Sequence, residues 1–188
     1  VTEDKSYFKR YELTEDGVSP RVLPGTQHAI HHVTGVEHDE TGKPSEAATN
    51  RKAQMDKRLG KLNHINFKEP VYVNAPYEEA DILFVGFNST RGVLEELQQT
   101  LIESDVKVNH AHIRLIHPFP VAEMQSLVAK AKKVVVVENN ATGQLANIIK
   151  MNVGGHDKLV SVTKYDGTPF LPLQLAKQVK ELLTDGNI

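Results

Sequence analysis

The chain has no cysteine and no tryptophan among its 188 residues. Without thiols it forms no disulfides, offers no thiolate nucleophile, and cannot ligate zinc or an iron–sulfur cluster through sulfur. A surplus of one charge sign is also lacking. The 22 basic and 24 acidic residues leave a net charge of −2, which gives no electrostatic footprint for nucleic acid. No apolar run is long enough to cross a membrane, and no basic-then-apolar leader opens the sequence. These absences fit a cytoplasmic protein. The chain starts at Val1 rather than at a methionine, which reads as a cut through something longer.

What is present is unevenly spread. Residues 1–70 hold 20 hydrophobic residues, whereas residues 71–188 hold 54 of 118. The second stretch can build a core; the first cannot do so alone. The boundary is expected at 69–76, where Pro70 and Pro76 bracket the short apolar run Val71-Tyr72-Val73. In the first stretch the periodicity predicts a helix near 45–62, with Ala48, Met55, Leu59 and Leu62 along one side. Some 40 turn-rich residues precede it, a length of irregular chain that is usually functional or docked on a neighbour.

The second stretch alternates apolar runs with helical spacing. Residues 82–85 and 134–137 are continuous apolar runs, as strands buried on both faces should be. Further strands are predicted over 108–116 and 159–163. Helices are predicted from Arg91 through Leu101, over 121–131 and 142–151, and finally to Leu183. This alternation implies an α/β fold, a mainly parallel sheet with flanking helices, preceded by an irregular segment with one helix. His110 and His112 alternate with Ala111 and Ile113, which places them on a polar strand face. Lys130, Lys132 and Lys133 read as a solvated helix end.

Three places could carry chemistry. His28, His31, His32, Glu37, His38, Asp39 and Glu40 are seven metal-capable side chains within 13 residues. Their spacing is not that of a helical zinc motif, so they read as a polar loop facing a substrate or another subunit, with Arg21 upstream, and no metal is assigned. Ser89, Thr90, Arg91 and Gly92 sit on a strand-to-helix turn, where free N–H groups and a cation could hold an anion. The alternative there is ordinary helix capping by Ser89 or Thr90. Glu138, Asn139, Asn140, Gly143 and Gln144 form a polar cluster at a strand's carboxyl end, where open α/β sheets place ligands. That cluster reads more readily as a turn with an Asn140 or Thr142 cap, at an interface.

Together these motifs resemble a known family. Gly17-Val18-Ser19-Pro20-Arg21, Leu23-Pro24-Gly25, His31-His32-Val33-Thr34-Gly35 and the run Glu37 to Gly42 occur in the order seen in alpha subunits of 2-oxoacid:ferredoxin oxidoreductases. Ser89-Thr90-Arg91-Gly92, Pro118-Phe119-Pro120, Val137-Glu138-Asn139-Asn140, Thr142-Gly143-Gln144 and Lys164-Tyr165-Asp166-Gly167 continue it. The 2-oxoglutarate type is the nearest match. One departure is Gln27-His28-Ala29, where a smaller, glycine-containing segment is expected.

The resemblance implies a thiamine-diphosphate enzyme that decarboxylates a 2-oxoacid, passes two electrons through iron–sulfur chemistry to ferredoxin, and forms an acyl-coenzyme A. It implies that residues 71–188 are a transketolase C-terminal-like domain and residues 1–70 a linker and docking segment. Thiamine diphosphate, Mg2+, the iron–sulfur cluster and coenzyme A are then expected in the full complex, with none bound by this chain alone. The expected partners are an N-terminal alpha domain, the beta subunit and ferredoxin, with a homodimer through the α/β domain. No catalytic role falls on any residue here, and the isolated chain is expected to be inactive. The competing reading is an independent anion- or nucleotide-binding α/β module.

Overall fold

Apolar runs separated by amphipathic segments build a sheet wherever enough of them follow one another, and here that begins at Val71. The computed structural model of the chain describes residues 8–184. It divides into two compact units, one through Asn66 and the other from Phe67.

The second unit is one five-stranded sheet: β1 (Val71–Asn74), β2 (Ala80–Phe87), β3 (Val108–Ile113), β4 (Ala131–Glu138) and β5 (Leu159–Thr163). The strand order is β1-β3-β2-β4-β5, parallel except for β1, which pairs antiparallel with β3. The central strands β2 and β4 are continuous apolar runs because helices cover both of their faces.

One face packs Leu83, Val85, Val134 and Val136 against Met124 and Val128 of α3 (Val121–Ala129) and Leu145 and Ile149 of α4 (Gln144–Asn152). The other packs Ile82, Phe84, Val135 and Val137 against Leu94, Leu97 and Leu101 of α2 (Arg91–Ile102) and Leu175 and Val179 of α5 (Pro172–Thr184). The chain therefore leaves β2 toward one face and β4 toward the other. Their carboxyl ends flank a topological switch point, where sheets of this class open a crevice.

In the first unit α1 spans Ala48–Gly60 and runs into a 3-10 turn, Lys61–His64. Its polar side is the anchored one. Gln54 is the helix's buried residue and Leu59 is exposed, so the apolar stripe of the sequence is not a core face. Gln54 donates to the Tyr11 carbonyl at 2.9 Å, and the Lys57 ammonium reaches the Tyr11 and Glu12 carbonyls and the Ser19 hydroxyl.

The sheet unit adds to the sequence reading in one place and corrects it in two. Val71–Asn74, inside the 69–76 stretch where the boundary was expected, is an edge strand whose backbone pairs with β3. Lys132 and Lys133 lie in β4, not at a helix end. His110 and His112 are buried, 0% and 6% exposed, because α2 covers the face of β3 that alternation alone had left to solvent.

Candidate functional site at the carboxyl edge of the sheet

The end of β2 is shaped by Gly86. A Cβ there would come within 2.4 Å of the Thr90 hydroxyl and 2.6 Å of a Leu94 methyl, so the glycine lets α2 pack close to the sheet. The chain then turns through a 3-10 segment, Asn88–Thr90, with Asn88 in the left-handed region at φ 55°. Thr90 is buried, and its hydroxyl both accepts from the Phe87 N–H and donates to the Phe87 carbonyl. Neither Ser89 nor Thr90 supplies the expected side-chain cap to α2. Arg91 turns away from the loop. Its Nε donates to Glu95 at 2.8 Å, and its guanidinium lies 3.9 Å from the Tyr72 ring centre. The pairing with Glu95 raises the Arg91 pKa and lowers that of Glu95.

At the end of β4, Glu138 is fully buried. Its carboxylate accepts from the Leu145 N–H at 2.7 Å, the Ala146 N–H at 3.2 Å, Asn140 Nδ2 at 2.7 Å and the Ser161 hydroxyl at 3.2 Å. A buried anion therefore occupies the positive end of α4, the position an anionic ligand would otherwise take. Gly143, at φ 63°, makes the left-handed turn into that helix, and Asn140 Oδ1 holds the Thr142 and Gln144 N–H groups. Thr142 itself plays no capping part through its side chain. The cluster of Glu138, Asn140, Gly143 and Gln144 is thus a clasp that joins β4, β5 and α4.

Between α2 and strands β3 and β1 runs a polar seam that the sequence reading missed. Asn74 and Gln98 bond to each other at 3.0 Å, and Gln98 also donates to the Val108 carbonyl. Next come His110 and His112, ring centres 5.9 Å apart, then Tyr72 and Arg91. Both ring nitrogens of His110, and Nδ1 of His112, are buried without a hydrogen-bond partner. Burial pushes the His110 pKa down to about 4, with the neighbouring His112 adding to the effect. Burial lowers His112 too, although a hydrogen bond to the Asn88 backbone opposes it. The usable sequence signal was Gln98, a polar residue four positions from Leu94 on the covered side of α2.

The His-rich loop of the first unit is committed to internal bonds. Glu37 forms a two-pronged ion pair with Arg58 at 2.8 and 2.9 Å and a further contact to Arg51 at 3.1 Å. The Arg58 bond holds the Glu37 pKa down to about 2. His38 is buried, stacked on Tyr11 with ring centres 4.5 Å apart and bonded to the Thr34 hydroxyl at 2.8 Å. Desolvation would raise the Asp39 pKa, but bonds from Thr41, Lys43 and Gly42 outweigh it and lower the value. His31 bonds the Ala29 carbonyl, and the His32 carbonyl accepts from the Tyr11 hydroxyl. His28, where the resemblance had led to an expectation of a glycine-containing segment, adopts φ 58°. Arg21 is exposed. Among the described residues no three His, Asp or Glu side chains are placed to hold a metal ion, and no helix is long and apolar enough to cross a membrane. A separate open cavity of about 370 Å³ lies beyond β5, between Lys164, Tyr165, Asp166, Phe170 and Gln174.

Comparison with known proteins gives a consistent outcome. Residues 80–174 match the family model described as pyruvate:ferredoxin oxidoreductase core domain II. The chain is 32% identical over 182 residues to the alpha subunit of 2-oxoacid:ferredoxin oxidoreductase 2 of Aeropyrum pernix, covering 95% of this chain and 28% of that protein. It is 30% identical to 2-oxoglutarate oxidoreductase subunit KorA of Mycobacterium tuberculosis, covering 86% and 24%. Among solved structures, the 2-oxoglutarate:ferredoxin oxidoreductase of Magnetococcus marinus, with 2-oxoglutarate, coenzyme A and succinyl-CoA bound, superposes with a TM-score of 0.82. The identity there is 36%, over 96% of this chain and 31% of that one. The chain thus spans less than a third of each of these relatives.

Proposed function

The chain belongs to the pyruvate:ferredoxin oxidoreductase core domain II family, and from that membership we propose that it is a structural and assembly portion of the alpha subunit of a 2-oxoacid:ferredoxin oxidoreductase. The substrate in this reading is 2-oxoglutarate, the product an acyl-coenzyme A, and the setting cytoplasmic. Identity to proteins named as alpha subunits over 95% of this chain, but 28% of theirs, supports a partial role. The observation that carries the structural role is the chemistry of the carboxyl edge. Glu138 spends four hydrogen bonds inside the fold, Arg91 is held by Glu95 and Tyr72, and Thr90 is bonded to its own turn. No free acid–base pair stands among these three groups.

The residues of this chain do not fit thiamine diphosphate, its Mg2+ or an iron–sulfur cluster. There is no Gly-Asp-Gly motif, since the three Asp-Gly pairs follow Glu15, Tyr165 and Thr184, and there is no cysteine. The described residues also lack a metal-ligand group. Those cofactors, and the chemistry they bring, lie with the N-terminal alpha domain and the beta subunit, and coenzyme A and ferredoxin meet the assembled complex. The docking role of the first unit is supported by its meagre core. Ala29 is its one buried hydrophobic residue among those described, while Leu23, Ile30 and Val33 are exposed by 81%, 96% and 77%.

The test is 2-oxoglutarate-dependent reduction of a viologen. The purified chain shows none, and activity appears when the pyrimidine-binding alpha domain and beta subunit are supplied with it. Turnover by the chain alone overturns the reading, and so does full activity of the other components without it.

A further inference from the structure

A fully buried histidine with neither ring nitrogen bonded is an anomaly in a folded protein, where such groups nearly always find partners. Here three imidazole nitrogens share that condition, two on His110 and one on His112. The charged and titratable groups facing them are few. Arg91 and Glu95 come from α2, Tyr72 comes from β1, and Arg114 follows the end of β3 near His112. Glu95 is the one anion among them. It now serves Arg91, yet it also interacts electrostatically with both imidazoles. The Arg91 guanidinium rests on the Tyr72 ring, Arg91 itself follows the Asn88–Thr90 turn directly, and the Asn88 backbone of that turn interacts with His112.

We propose that Arg91, Glu95, His110 and His112 form a proton-coupled latch. When the imidazole pair takes up one proton, Glu95 exchanges Arg91 for the imidazolium, and the guanidinium is released toward the turn at the carboxyl end of β2. The proton count balances: one proton enters from solvent, the cluster gains one positive charge, and no other group titrates. The buried cation gains the acceptor its ring nitrogens lack. Arg91 loses its ion pair and keeps only the contact with the Tyr72 ring. The freed cation then stands at the switch point, where an anion would meet it. By linkage an anion that binds Arg91 favours the protonated pair to the same extent.

The experiment follows the His110 and His112 ring signals and the Arg91 Nε–H signal by NMR between pH 7.5 and 4, on the chain in the oligomeric state in which it purifies. The Arg91 signal is expected to move with the same midpoint as the imidazole pair. In Glu95→Gln the imidazole midpoint falls by about half a pH unit, because the attracting charge is gone, and the Arg91 signal no longer follows it. In the double variant His110→Phe, His112→Phe no imidazole of the pair is left to titrate, so Arg91 is then constant across the range. The Glu95 side chain is 38% exposed, so Glu95→Gln decides the matter if the double variant fails to fold. An Arg91 signal that stays fixed while His110 titrates overturns the latch, as does an imidazole midpoint that Glu95→Gln leaves unmoved.

Discussion

The two units of this chain are held by different forces. From Phe67 onward, two apolar layers sandwich a mainly parallel sheet, and the buried polar groups are exceptions with specific duties. Before Asn66, polar side chains do the joining. Gln54 and Lys57 bond the backbone of residues 11 and 12, Glu37 clamps two arginines, and Asp39 closes a turn. Hydrophobic burial is non-directional and adds up over area. A hydrogen-bonded scaffold is directional and contributes only about 1 kcal/mol per bond. The first kind can carry a fold unaided, whereas the second holds a shape whose apolar side chains still face outward. That difference is the physical basis for proposing a scaffold role for one unit and a docking role for the other.

The largest expected effect comes from removing the exception on which the sheet unit most depends. Glu138→Ala leaves two backbone N–H groups of α4, a Ser161 hydroxyl and an Asn140 amide without their acceptor in the interior. A loss of about 3–5 kcal/mol is expected, as for breaking a buried charged network. Urea denaturation followed by circular dichroism checks this. Glu138→Gln, which keeps one acceptor oxygen, is expected to lose less than the alanine variant. Equal losses would mean that the anion's charge, rather than its acceptor count, holds the clasp.

The next effect is set by pH and again belongs to the sheet unit. His110 has a folded pKa of about 4 against an ordinary value of 6.5. Between those values the unfolded chain binds the proton and the folded chain does not, so stability falls as pH drops from 6.5 toward 4 and is complete above that window. The loss amounts to roughly 3 kcal/mol by the lower end. Denaturation midpoints at pH 7 and pH 4.5 measure it, and His110→Phe should remove most of the slope.

A smaller effect is expected in the first unit. Arg58→Ala removes the clamp that holds Glu37 near pKa 2. Arg58 is 43% exposed, so solvent screening limits the loss to about 1 kcal/mol. The Glu37 contribution is present above its ordinary value of 4.5 and fades as pH falls toward 2. Amide hydrogen exchange across residues 34–62 is the suitable readout, because the sheet unit should be unaffected.

These contrasts also explain what was legible in the sequence. Continuous apolar runs such as Val134 to Val137 announce a buried parallel strand, and the α/β alternation followed from them. His110 and His112 were misread because period-two alternation cannot say whether a helix covers the second face. Here α2 does, aided by Gly86. The apolar spacing of α1 was real, but spacing does not state which side finds a partner, and its polar side did. Arg91 was read on a strand-to-helix turn and Glu138 at a strand end, and Arg91 opens α2 after that turn while Glu138 ends β4. Their roles depended on who bonds them, Glu95 and Tyr72 in one case and the α4 backbone in the other, and those partners are set by three-dimensional proximity that no local pattern encodes.

The smallest expected change in stability is also the sharpest test of the docking assignment. Leu23 and Ile30 are 81% and 96% exposed, so replacing both with serine removes almost no buried area and should shift the denaturation midpoint of the chain by less than about 0.5 kcal/mol. If those side chains become buried against another part of the oxidoreductase, the same double variant should weaken co-purification with the beta subunit and the N-terminal alpha domain by tenfold or more, since about 1.4 kcal/mol suffices for that factor and a buried leucine or isoleucine alone contributes about 1.5–3. A variant that loses stability without losing assembly would place these residues in a core of their own. One that changes neither would show that the exposed apolar face of the first unit lies outside the interface.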